Sequence, residues 1–263
     1  MTVTDSYLVA CFGALLFSSA RWFRVAQREH YLAWSASRFA LRWWSLGAVN
    51  PLLFVITVFS VIASAWFPFA CLVAALVVCV GPLGLKLKGR TSSLAWTRRL
   101  RTVAAVSVLF AFVLFLAIRQ LGGGSVGYAV VVVLAPAFID IALVLLKPVE
   151  KRFSQKYVTQ AANTLERVNP IRVAITGSYG KTTIKGYVRH LLSETRSVVA
   201  SPASFNNSAG LSRSVNEHLT DGTEIFVAEM GTYGPGEIAE LVSWIQPSIS
   251  VLSAIGPVHL ERF

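Results

Sequence analysis

The chain has 263 residues, of which 54% are hydrophobic and only 14% charged, with a mean hydropathy of +0.60. Such a composition excludes an ordinary soluble domain throughout and assigns part of the chain to lipid. The formal charge of +11 does not indicate a nucleic-acid partner: residues 1–152 hold 15 Lys and Arg against 4 Asp and Glu, whereas residues 153–263 hold 9 against 9, so no separate basic face is built.

Five apolar stretches, at about 6–20, 48–66, 69–85, 102–118 and 126–146, approach the ~20 residues that cross a ~30 Å hydrocarbon layer as helix. The first is the shortest, and its rival reading is a secretory signal peptide. Such a peptide carries its positive charge ahead of the apolar core, and residues 1–5 contain no Lys or Arg, so a retained span is the better reading. Segment 21–45 has five arginines, and segment 86–101 has six basic residues and no acid. The opposite connections, 66–68 and 119–125, hold one basic residue between them. The positive-inside rule then predicts an α-helical transmembrane domain over 1–146 with its N-terminus outside and everything after Lys147 in the cytosol.

Within this region Gly122, Gly123 and Gly124 form a flexible connection, and Trp22, Trp34, Trp43, Trp44, Trp66 and Trp96 fall near predicted interfaces, where indole rings anchor. Residues 21–44 suit an in-plane amphipathic helix on anionic lipid. Asp140 is the one acid inside a span; it is either a functional carboxylate or, on the favoured reading, a structurally paired one near the cytosolic interface. Cys11, Cys71 and Cys79 have no metal-ligand spacing and are read as small core residues.

Residues 147–170 change character. Val149, Phe153, Tyr157, Ala161, Leu165 and Val168 recur every three to four residues among charges, which predicts an amphipathic cytosolic connector helix ended by Asn169 and Pro170. From 171 to 263, strands at 171–176, 197–201, 224–229 and 248–254 alternate with helices near 181–193, 208–219 and 235–244. That alternation predicts an α/β P-loop domain with a mainly parallel sheet, helices on both faces, and ligands gathered at the carboxyl ends of the strands.

At the end of the first strand stand Thr176, Gly177, Ser178, Tyr179, Gly180, Lys181, Thr182 and Thr183. Converging backbone N–H groups, a helix N-terminus, the Lys181 charge and a Thr182 hydroxyl for Mg²⁺ make a phosphate cradle, with ATP as the expected ligand. The turn is a shortened G-x-x-G-K-T-T form, because Ile175 stands where the common pattern has its first glycine. Glu229 closes the third strand, where nucleotide-binding domains direct a carboxylate at metal. Ser204, Phe205, Asn206 and Asn207 follow the second strand, and glycine-bearing turns follow the third and fourth, the last with His259.

The blocks 175–183, 201–207, 227–231 and 255–261, in this order and spacing, resemble the Mur ligase family of bacterial cell-wall enzymes, and most closely its D-alanyl-D-alanine-adding branch, MurF. The resemblance covers about residues 165–263. It implies an ATP-dependent ligase that phosphorylates a substrate carboxylate and then lets an amine attack the acyl phosphate, in peptidoglycan precursor synthesis. It further implies that Lys181 contacts the β/γ-phosphates, that Thr182, Glu229 and His259 serve Mg²⁺, and that Asn206 and Asn207 orient the phosphates or their metal water. Partners would be a muramyl peptide, free or lipid-linked, an amino acid or dipeptide, and the bilayer of a bacterial inner membrane. Tyr179 is read either as packing or as a lid over the phosphates.

Three departures accompany the resemblance. Apolar segments stand where soluble MurF enzymes carry their nucleotide-sugar reader, Gly210, Leu211 and Ser212 replace a Gly-Val-Pro-type continuation, and the sequence stops before the family's carbamylated lysine, adenine contacts and C-terminal domain. Residues 1–263 alone are therefore expected to bind nucleotide weakly and to form no amide. Two alternatives are kept: a poly-γ-glutamate-synthase-like ligase, against which block 201–207 argues, and a non-catalytic nucleotide-binding membrane regulator.

Overall fold

The computed structural model describes residues 3–85, 93–203 and 205–258. The chain divides into two compact units, Met1–Pro148 and Val149–Phe263.

The first unit is helical: α1 (Val3–Arg28), α2 (Ser35–Trp44), α3 (Val49–Ala63), α4 (Ala70–Val80), α5 (Arg98–Gln120), α6 (Gly124–Val133) and the first part of α7 (Ala135–Val168). Helix α1 does not stop near residue 20. Its last turns continue to bury Trp22, Phe23, Val25 and Ala26, so the arginines between them lie on a helix that packs rather than on a separate interfacial one. Trp22 accordingly sits in the core instead of at a surface, with Cys11 and Cys71 also buried there. Of residues 21–44, only Ser35–Trp44 forms a separate helix, α2.

The five apolar stretches do not each correspond to one long helix. Helix α4 has 11 residues and so measures about 16 Å at 1.5 Å per residue, too short to cross alone. Gly81 caps it, and Pro82, lacking an N–H, cannot continue it. The Arg21 guanidinium covers this end, donating to the carbonyls of Cys79 and, at 2.6 Å, Gly81, which a helix C-terminus otherwise leaves unsatisfied. Among the described residues two helices are long and apolar enough to cross a membrane, α1 and α5. The number rises to four if the bent pairs α2 with α3 (106°) and α6 with α7 (64°) each count as one.

Asp140 is fully buried and accepts hydrogen bonds from Ala36 N at 3.2 Å and Ser37 N at 2.7 Å. Helix α2 has no side-chain cap of its own at Trp34, so a residue 104 positions away supplies the acceptor for its orphan N–H groups. The Asp140 carboxylate is therefore paired within the fold, and the partner these bonds give it is a helix end.

The second unit contains the end of α7, then β1 (Ile171–Thr176), α8 (Lys181–Leu192), β2 (Val198–Ala200), α9 (Ser208–His218), β3 (Ile225–Glu229), α10 (Glu237–Ile245) and β4 (Ile249–Leu252). The sheet order is β2-β3-β1-β4, and every pair is parallel, with Ile171 opposite Ile225, Val198 opposite Ile225 and Val173 opposite Ile249. Alternation along β1 sorts the two faces. Val173 and Ile175 meet Ile184, Val188 and Leu192 of α8, whereas Ala174 packs in the opposite layer with Leu165 of α7, Leu211 and Val215 of α9 and Leu241 of α10. The fully buried β3 is thus central, as its continuous apolar run requires.

Helix α7 runs on through Pro148 and ends at Val168, with Asn169 in the left-handed region (φ 48°), where the sequence places its end; the end of the last strand differs from expectation. Strand β4 stops at Leu252 because Ser253 and Ala254 turn toward the loop after β1: Ser253 N donates to Thr176 O at 2.8 Å and Ala254 O accepts from Ser178 N at 2.6 Å. Arg172 closes the base of the sheet by donating to Leu165 O and Ile245 O, near the ends of α7 and α10.

Candidate nucleotide site

The loop after β1 is built around two glycines. Gly177 adopts φ 137°, and a Cβ there would collide with Ser253 Oγ and lie 2.9 Å from both N and O of Ala254, so the close strand-to-loop approach requires glycine. Gly180 caps α8 at φ 79°, a left-handed conformation that turns the chain directly into the helix. As a result the N–H groups of Gly180, Lys181, Thr182 and Thr183 open the first turn without intrahelical partners, which is the donor arrangement an anion needs.

The other loop residues hold this shape. The Ser253 hydroxyl, with one proton to give, sits between two carbonyl oxygens, Tyr179 O at 2.7 Å and Thr176 O at 3.1 Å. Ser178 Oγ donates to Gly256 O at 3.2 Å and accepts from Gly256 N at 3.0 Å. The ring of Tyr179 lies against Gly256, where a Cβ would come within 2.5 Å of Cε2, yet the side chain is exposed. Packing against the loop after β4 is therefore part of its role. Lys181 folds back, its Nζ donating to Gly177 O at 2.5 Å, so the charge already hovers over the loop.

Across from α8, Glu229 at the end of β3 is 2% exposed. Its Oε1 accepts from Thr182 Oγ1 at 3.1 Å, its Oε2 lies 2.8 Å from Lys185 Nζ, and its backbone N–H donates to Ser201 Oγ. Thr182 and Glu229 thus present hard oxygen atoms only, a donor set that suits Mg²⁺, which keeps several waters and takes few protein ligands. Among the described residues no group of three or more His, Cys, Asp or Glu side chains gathers to hold a metal. A cavity of about 470 Å³ opens beside this pair, lined by Thr182, Lys185, Arg189, Ser201, Ala203 and His218. A slightly larger hollow lies along α7, around Lys156 and Arg167, away from the phosphate loop.

The predicted asparagines separate. Asn206 is held over Gly231, whose N–H donates to Asn206 O at 2.7 Å, and lies beside the strand end that bears Glu229. Asn207 has turned to structure: its Oδ1 accepts from Gly210 N at 2.9 Å and caps α9. His259 and Ser204 lie outside the described residues. Lys185 and Ser253 had no role assigned from the sequence, and Ser201 figured there only as the first residue of block 201–207. For Lys185 a signal was present, since it follows Lys181 by one helical turn and so shares its face of α8.

Residues 175–263 match the family model Mur ligase middle domain. By this match the segment is similar to the middle domain of the Mur ligases. The UDP-N-acetylmuramoyl-tripeptide--D-alanyl-D-alanine ligase of Rickettsia prowazekii is 41% identical over 91 residues, covering 35% of this chain and 20% of that protein. The enzyme of the same name from Haemophilus influenzae is 33% identical over 102 residues, covering 37% of this chain and 22% of that one. Among solved structures, MurF ligase from Thermotoga maritima in complex with ADP is 36% identical, covers 41% of this chain and 25% of that chain, and has a TM-score of 0.39. The chain spans about a fifth of the length of the curated relatives it matches.

Proposed function

We propose that this chain is the nucleotide-binding part of a membrane-anchored, ATP-dependent Mur-type ligase that activates a cell-wall precursor carboxylate for amide formation. The observation that carries the reading is the meeting of three features in the Mur ligase segment. They are the donor nest at Gly180 to Thr183, the Lys181 ammonium above it, and the Thr182 hydroxyl 3.1 Å from Glu229.

In this reading the nest binds the β- and γ-phosphates and Lys181 exchanges its bond to Gly177 O for a phosphate oxygen. Mg²⁺, held by Thr182 and Glu229, would neutralise charge on the phosphates. A carboxylate of the muramyl peptide takes the γ-phosphoryl group and ADP leaves. An amine of the amino acid or dipeptide then attacks the acyl carbon and phosphate departs. The fixed N–H dipoles need no reorganisation as charge moves, which is how such a site lowers the barrier.

Anchoring in a bacterial inner membrane is supported by the length and apolar character of α1 and α5 and by large exposed side chains on the first unit, including Phe59, Leu109, Phe110 and Leu116. Two experiments test the proposal. A reporter fused after Lys147 should be active only as a cytosolic fusion; activity outside contradicts the orientation. In the purified protein, a fluorescent ATP analogue should be displaced by ATP and ADP but poorly by AMP, and AMP competing as well as ATP contradicts phosphate recognition. Release of labelled phosphate that depends on a muramyl peptide supports ligation, whereas release indifferent to it assigns the nucleotide to regulation.

A further inference from the structure

Lys185 is a buried cation that the reaction as described does not use. It is 6% exposed, one turn along α8 from Lys181, and its Nζ meets two groups: Glu229 Oε2 at 2.8 Å and Ala203 O at 2.6 Å. An ammonium so far from water must recover its lost hydration from its partners, and those two take up two of its three donors. Ala203 is itself in the left-handed region (φ 41°), an uncommon conformation for a residue with a Cβ, and its carbonyl is the one Lys185 holds.

The two lysines of α8 therefore divide their tasks. Lys181 reaches into the phosphate loop, while Lys185 reaches the far oxygen of the carboxylate whose near oxygen faces Thr182. Without a partner on Oε2 the Glu229 side chain could rotate and present either oxygen, or neither, to Thr182. We propose that Lys185 is a positioning residue: it fixes Glu229 with Oε1 toward Thr182 and ties the loop after β2 to that same carboxylate, so that a divalent ion carried by the nucleotide meets a preset ligand. The inference rests on the reading that Thr182 and Glu229 hold such an ion.

The test is equilibrium ATP binding by the whole chain in detergent, in EDTA and in Mg²⁺, with Mn²⁺ and water-proton relaxation as a direct reading of the bound ion. The quantity of interest is the ratio of affinities with and without metal. Partners that orient a metal ligand typically change metal affinity by about 10- to 100-fold, and K185M should lower the ratio by that factor while K185R restores most of it. A K185M ratio equal to that of the parent overturns the proposal, including the case in which both affinities fall together, because the lysine would then be shaping the loop alone. On an E229Q background, Lys185→Met buries no lone charge and should add no further loss of the ratio; an added loss overturns the route through Glu229. A parent that binds ATP without any metal enhancement contradicts the metal assignment itself, and one that binds no ATP contradicts the nucleotide reading. Either of these removes the inference with its foundation and is distinguishable from a failure confined to the variants.

Discussion

Replacing Gly177 by alanine should cripple nucleotide binding without unfolding the domain. At φ 137° an added Cβ is strained by about 1–3 kcal/mol before any contact is considered. The same Cβ would drive the Ser253 hydroxyl, whose single proton lies between Tyr179 O (2.7 Å) and Thr176 O (3.1 Å), from that position, at about 1 kcal/mol. Together these oppose the anion-ready loop by about 2–4 kcal/mol, and the apparent Kd for ATP should rise by about 30- to 10³-fold as the competent fraction falls. The sheet core lies beneath the loop in Ile175, Val227 and Val173, so far-UV circular dichroism should be retained. Gly186 provides the control: it is inside α8 with open space around its Cβ position, and G186A should be neutral or stabilising by up to about 1 kcal/mol. Titration of a fluorescent ATP analogue measures the effect, and a G177A affinity within about threefold of the parent would refute the argument, since that is under 1 kcal/mol.

Three further outcomes are expected. D140A removes the acceptor for Ala36 N and Ser37 N and should lower the stability of the first unit by about 1–3 kcal/mol, read as a reduced unfolding temperature in detergent; an unchanged midpoint would discard the capping role. N207A removes the α9 cap and should cost about 1 kcal/mol in denaturant unfolding, with N207S restoring most of it; equal stability of the two variants would remove Asn207 from that structural role. The hydrogen bond from Arg196 at 2.6 Å, followed by that from Ser197 N, holds the exposed Glu224 carboxyl below its ordinary range. A depressed folded value means stabilisation present at neutral pH and lost as pH falls through the depressed value, so the small difference between parent and R196A should vanish in acid. A difference that grows on acidification would reverse the sign of this argument.

The second unit was legible because its signals are local. A buried strand, a glycine-framed turn and a lysine at the head of a helix depend on neighbours in sequence, and the alternation of short apolar runs with helices leaves few arrangements other than a parallel sheet. The first unit was harder to read. Arginines at 21, 24 and 28 looked like the end of a span, yet α1 continues because Trp22, Phe23, Val25 and Ala26 occupy its inner face. The apolar window over 69–85 hid the stop at Gly81 and Pro82, which averages over composition cannot register. Long-range partners were invisible altogether: Asp140 meets α2 from 104 residues away, and Lys185 is buried only because Glu229 faces it across the sheet end. Asn207 illustrates the converse, since an asparagine at a helix start can serve as cap, as ligand or as both, and the bond from Gly210 N shows the first.

The claim on which the rest depends is that the loop from Gly177 to Thr183 holds the phosphates of ATP with Lys181 as its charge. The direct measurement is the Kd for Mg·ATP of the parent and of K181A, side by side in the same detergent. A charged hydrogen bond to phosphate is worth about 1.5–3 kcal/mol, so K181A should bind about 10- to 150-fold more weakly. Equal affinities would contradict the account.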